Sequence, residues 1–190
     1  ADGTVRIWDR PVSPRVLAGH TMSLAAVAIS GDDRLVATAG ADKTVLISAL
    51  ADGKPIRTTR PGPQAILQLA FNADGSRLAW GDADGRVHVE QSADGAAAID
   101  LGAHAGGVTG LAFLPDGKRL VTSGADGTFK TWNLDTPATT VLPAQPAAVT
   151  SLVASGDGKT AAVGLGDGTV RVVNIAENAR PRPLAGLVAG

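Results

Sequence analysis

The feature that most constrains this chain is a turn that recurs every 40 to 42 residues. Five copies align: Ala1-Asp2-Gly3, Ala41-Asp42-Lys43, Ala83-Asp84-Gly85, Ala125-Asp126-Gly127 and Gly166-Asp167-Gly168. Each is followed by a β-branched or alternating run, such as Thr4-Val5-Arg6-Ile7-Trp8 or Thr128-Phe129-Lys130-Thr131-Trp132. Period-two alternation over so few residues predicts a strand. A second turn series precedes the first, at Gly31-Asp32-Asp33, Ala73-Asp74-Gly75, Pro115-Asp116-Gly117 and Gly156-Asp157-Gly158, and a third follows it, at Ala51-Asp52-Gly53 and Ala93-Asp94-Gly95. Asp-Gly favours turns because glycine accepts positive φ and aspartate hydrogen-bonds its own backbone. Three turns per repeat leave four short strands, one antiparallel unit of a stacked array.

The residues that fill the repeat carry a family resemblance. Gly102-Ala103-His104, Val108 to Phe113, Pro115-Asp116-Gly117, Leu120 to Ser123, Asp126 and Trp132-Asn133-Leu134 together resemble a WD repeat. So do Leu17-Ala18-Gly19-His20 with Asp42, and Asp2 to Asp9. The resemblance covers essentially the whole chain and implies an all-β fold, a β-propeller of four-stranded antiparallel blades. Naming the strands of a blade a (innermost) to d (outermost), the chain opens on a c strand near residues 4–8 and a d strand near 14–18. Strands a are expected near 24–30, 66–71, 108–113 and 149–154, and the d strands end near 58, 101, 142 and 184. This divides the chain into an outer half-blade at 1–19 and full blades at 20–61, 62–103, 104–144 and 145–187. Strand c of the half-blade has an open edge near residues 4–8, which invites pairing with another chain. The expectation is a segment of a larger ring of about seven blades, completed by further sequence or by neighbouring chains.

The resemblance also implies a buried structural tetrad, intact in one blade as His104, Ser123, Asp126 and Trp132. There the aspartate accepts from histidine, histidine meets serine, and serine meets the indole N–H. A hydroxyl, an imidazole and a carboxylate could suggest a hydrolase triad, but buried polar groups need such pairing for structure alone. Other blades keep only parts of the set: His20 and Asp42, Asp2 and Trp8, Asp84, and Asp167. The positions corresponding to His104 are otherwise Gly62 and Gln145, and those corresponding to Trp132 are Ser48, Glu90 and Val173. Trp80, four residues before its turn aspartate, is expected to pack between blades.

Several motifs fall short of a site. Gly156 to Thr160 ends like a phosphate-binding loop, but Val153 stands where its leading glycine belongs and no helix follows. Asp82-Ala83-Asp84-Gly85 lacks the oxygen ligand a calcium loop needs, since Trp80 occupies that place. The three histidines, His20, His88 and His104, are far apart in sequence. No catalytic residue, metal or cofactor is expected. With no cysteine, thiolate metal sites and haem attachment are excluded.

Charge narrows the partners. The 17 basic and 18 acidic residues are scattered, which disfavours a phosphate-reading surface and hence nucleic acid. No apolar run reaches the roughly 18 residues needed to span a membrane. The expected partners are other proteins, met through the d–a loops that hold Met22, Ser23, Gln64 and Pro146. The leading expectation is a non-catalytic scaffold or assembly subunit. The alternative is the propeller domain of a larger bacterial protein, such as a c-type cytochrome or a signalling kinase. The compartment, periplasmic or cytoplasmic, is left open. An Ala-, Gly- and Asp-rich composition points to a bacterial source.

Overall fold

The computed structural model describes residues 4–9, 12–59, 62–96, 98–136, 138–142, 144–175 and 182–183. Every regular element among them is a strand. An antiparallel pair, β1 (Val5–Asp9) and β2 (Val12–Leu17), comes first. Four antiparallel sheets follow in chain order. The first is β3 (Leu24–Ile29), β4 (Leu35–Gly40), β5 (Val45–Ala49) and β6 (Pro55–Thr59). The second is β7 (Ile66–Phe71), β8 (Arg77–Asp82), β9 (Arg86–Gln91) and β10 (Ile99–Ala103). The third is β11 (Val108–Phe113), β12 (Arg119–Gly124), β13 (Phe129–Asn133) and β14 (Thr139–Leu142). The fourth is β15 (Val149–Ala154), β16 (Thr160–Leu165), β17 (Val170–Asn174) and β18 (Arg182–Pro183).

The turns form because one carboxylate oxygen holds the main chain two residues on. Asp116 accepts from Lys118 N–H at 2.9 Å, Asp126 from Thr128 N–H at 2.9 Å and Asp94 from Ala96 N–H at 2.8 Å, one from each turn series. The third residue of the turn then has positive φ, 75° at Gly127 and 64° at Lys43. Glycine takes that conformation freely, whereas a lysine side chain is strained there.

Successive sheets pack face to face with their first strands adjacent, β3 to β7, β7 to β11 and β11 to β15. This is the arrangement of propeller blades. Alternation along each strand sends neighbouring side chains to opposite faces, so the sheets share three apolar cores. Ala37, Ile47, Ile66, Leu78 and Trp80 fill the first. Ala79, Val89, Val108, Leu120 and Trp132 fill the second. Leu114, Phe129, Leu142, Val149 and Val163 fill the third.

Among the described residues the two outward faces of the stack are open. In β3, Val27 is 55% exposed, whereas Leu69 and Leu111 at the same position in the next two sheets are each 8% exposed. The sheet preceding β3 has only two described strands, and neither of them packs over Val27. At the other end Val153 of β15 is 63% exposed. Among the described residues β1 pairs only with β2. Asp2, the side chain of Trp8, and the tail from Leu184 lie outside what the structure describes.

Candidate functional site

A dense polar cluster sits where the loop after β10 enters the third sheet. His104 N–H donates to Gly85 O at 2.9 Å, which fixes the loop and swings the imidazole onto the face of β12 and β13. There His104 Nε2 lies 2.8 Å from Thr122 Oγ1, and Trp132 Nε1 donates to the same hydroxyl at 2.8 Å. His104 Nδ1 lies 2.7 Å from Thr128 Oγ1, which donates to Asp126 Oδ1 at 2.7 Å. Asp126 also accepts from Ala105 N–H at 2.6 Å. A carboxylate can only accept, so Thr128 gives its proton to Asp126 and accepts from His104 Nδ1–H, which leaves Nε2 to accept from the Thr122 hydroxyl. Burial holds His104 below the usual histidine pKa, against the opposing pull of Asp126. A neutral ring is what this chain of donors requires.

This corrects the expected tetrad in two places. The hydroxyl is Thr122, and Ser123 takes no part: its Oγ pairs with Thr109 Oγ1 at 3.1 Å. The reason is parity. Leu120 lies opposite Trp132 and Thr122 opposite Lys130, so Thr122 shares the tryptophan's face and Ser123 points to the other. The second change is that Asp126 reaches the histidine through Thr128, its own oxygen lying 3.6 Å from Nδ1.

The first full sheet repeats the network without the indole. His20 Nε2 meets Thr38 Oγ1 at 2.7 Å and Nδ1 meets Asp42 Oδ2 at 2.9 Å. Thr21 N–H and Thr44 Oγ1 also donate to Asp42, at 2.9 and 2.8 Å. Burial opposes the charge on Asp42, but these donors outweigh it and hold the carboxyl at about 2. Ser48, in the tryptophan's place, is buried.

The second sheet departs from this plan. Trp80 stands in the place of Thr122, buried in the core against the first sheet and stacked on His88 with ring centroids 4.4 Å apart. The turn carboxylate is Asp82, whose Oδ1 accepts from Asp84 N–H at 3.0 Å and Arg86 N–H at 2.9 Å. Asp84, the expected member of a partial tetrad, is exposed. The sequence Asp82-Ala83-Asp84 offered two candidates, and the one at the strand end is the one that caps. Glu90, in the tryptophan's place, is buried and accepts from Arg57 Nη2 of the first sheet at 2.5 Å. In the fourth sheet Asp167 is exposed and, among the described residues, accepts from Thr169 alone, through N–H at 2.9 Å and hydroxyl at 2.7 Å.

The hydroxyl, imidazole and carboxylate of the relay are each engaged by one another or by the main chain. Thr122 is fully buried and His104 nearly so. No group of three His, Cys, Asp or Glu side chains among the described residues could hold a metal ion. No described helix is long and apolar enough to cross a membrane. At the loop end of each sheet, Ser23, Ala65, Gly107 and Ala148 carbonyls accept from Ala41, Ala83, Ala125 and Gly166 N–H at 2.9 to 3.0 Å. These bonds set the d–a loops at equivalent positions. Met22, Ser23 and Pro146 are exposed there, and Gln64 is half-buried.

A family model described as WD domain, G-beta repeat matches residues 12–47, 98–133 and 137–174, together more than half of the chain. Each matched stretch begins on or just before the outermost strand of one sheet and runs to the third strand of the next. The unmatched interval 48–97 holds β7 to β9, the strands where Trp80, Asp82 and Glu90 replace the shared pattern. No match was found among curated proteins.

Proposed function

Because the chain belongs to the WD-repeat family, whose repeats generally mediate protein–protein interaction, we propose that it is a non-catalytic scaffold or assembly subunit. One observation carries this reading. In the relay Thr122 and His104 are buried and the half-buried Thr128 is held by Asp126, while bulky apolar side chains stand in solvent. Met22 on the loop end, Val27 and Ile29 on one flank, and Val153 on the other are all more than half exposed. Val27 and Ile29 stand two residues apart on one face of β3, and an exposed apolar patch of this kind marks a surface that a partner covers.

The open flanks also support a second reading, in which these blades belong to a larger ring of about seven. That ring could be the propeller domain of a bacterial c-type cytochrome or kinase. Any redox centre or active site would then be supplied by other sequence.

Photo-crosslinking in cells tests the first reading. A photoreactive residue at Met22, Val27 or Val153 should yield discrete adducts with specific proteins, and native mass should show the chain in a heteromeric complex. A stable lone monomer with no adduct at any of the three positions would refute it.

A further inference from the structure

In the first and third sheets an imidazole fills the space beside a strand hydroxyl, His20 by Thr38 and His104 by Thr122. The corresponding residue in the second sheet is Gly62, where an added Cβ would meet nothing within 4 Å. A cavity of about 370 Å³ opens on the same sheet, lined by Trp80, Asp82, Arg86, Val87, Asp100, Gly102 and Ala103. Trp80, Asp82 and Arg86 occupy the positions that Thr122, Gly124 and Thr128 hold around His104. The cavity therefore borders the positions that surround the imidazole in the third sheet, and extends from them to β10.

Its lining is built for a cation. Asp82 is 1% exposed; its Oδ1 holds the turn, and its Oδ2 is left for a ligand. Among the described residues no lysine or arginine pairs with it, and a buried carboxylate without a counter-charge is costly. Asp100, exposed at the rim, adds a second carboxylate, held 2.6 Å from His88 Nδ1. Arg86 offsets one of the two negative charges and leaves the lining acidic. Trp80 provides an indole whose buried N–H has no partner.

We propose that this cavity receives the side chain of an arginine presented by a protein partner, a step that rests on the scaffold reading. A guanidinium is planar and weakly hydrated, stacks on aromatic faces and carries a fork of donors for a carboxylate. The peptide that bears it also supplies a main-chain carbonyl for the indole N–H. A lysine ammonium lacks the planarity, and an anion would meet two carboxylates.

The test is a titration of the full chain, with its indoles labelled for NMR, against acetyl-Gly-Arg-Gly-amide and the same peptide carrying neutral citrulline. The Trp80 indole signal is assigned with Trp80→Phe. The arginine peptide should shift it saturably while the Trp132 signal stays fixed, and the citrulline peptide should bind at least tenfold more weakly. Asp82→Asn keeps an oxygen for the two backbone donors and should weaken binding at least fivefold. Gly62→His should abolish binding by filling the cavity. Equal binding of the two peptides, unchanged binding in both variants, or no saturable shift would each overturn the proposal. Free arginine binding as tightly as the peptide would overturn the assignment to a protein partner. A failed titration with adducts intact at Met22 removes this slot alone. A saturable slot with no adduct anywhere removes the scaffold reading instead.

Discussion

Replacing Thr122 by valine keeps the side-chain shape and deletes one hydroxyl at the centre of the relay. That hydroxyl serves two partners at 2.8 Å, the Trp132 N–H and His104 Nε2. Both partners are buried, Trp132 at 4% and His104 at 2% exposure, so water cannot replace it. A buried polar group left without a partner costs roughly 1–3 kcal/mol, and two of them put Thr122→Val at about 3 kcal/mol. Ser123→Ala removes one neutral bond of 3.1 Å to Thr109, which is half-buried and can turn to solvent; its cost is about 1 kcal/mol or less. Urea unfolding followed by tryptophan fluorescence reads the difference, provided the slope is unchanged. Because stacked sheets need not unfold in one step, amide exchange in β12 and β13 should accompany it. Thr122→Ser should restore most of the loss. The reasoning fails if Ser123→Ala costs as much as Thr122→Val, or if Thr122→Ser recovers nothing.

Acid should unfold the chain in two stages. His104 sits below its ordinary 6.5, so the unfolded chain takes the proton first; its contribution is whole above about 6.5 and drains as pH falls below that. Asp42 sits at about 2 against an ordinary 3.8, so its contribution persists down to about 3.8 and is lost on the way to 2; circular dichroism from pH 8 to 2 should show both steps. Glu90→Ala strands the Arg57 guanidinium, 17% exposed, and should cost about 3–5 kcal/mol. Joint replacement of Arg57 and Glu90 by methionine should cost far less. Lys43→Gly relieves a left-handed lysine at φ 64° and should stabilise by about 1 kcal/mol, raising the thermal midpoint. Phe129→Ala, at a fully buried position in the third core, should cost about 3–5 kcal/mol.

The fold was readable because its turns are spelled out in local chemistry. Asp-Gly marks both the carboxylate that caps and the residue that takes positive φ, so strand starts such as Leu24, Ile66, Val108 and Val149 follow from counting. The relay was readable only to the level of residue type. Choosing Thr122 over Ser123 needs the pairing of β12 with β13, and that register follows from the turn at Asp126, so alternation alone could have settled it. Asp82 against Asp84 was harder. Both flank the same turn, and only the depth at which β8 ends buries one and exposes the other. The cavity beside Trp80 was not readable, because the Gly62 that replaces the histidine of the other sheets says nothing about the space on its own sheet. Comparison with His20 and His104 at the same repeat position is the signal that points there.

The repeat in the sequence and the sheet in space are out of phase by one strand. Each matched stretch donates its opening strand to the sheet behind it and builds the next three itself. The genetic unit therefore works like a link in a chain, already threaded through its predecessor when it is made. Duplicating a link in phase lengthens the protein without leaving any sheet short. Ending the chain at a link boundary, by contrast, always leaves the last sheet waiting for its outermost strand.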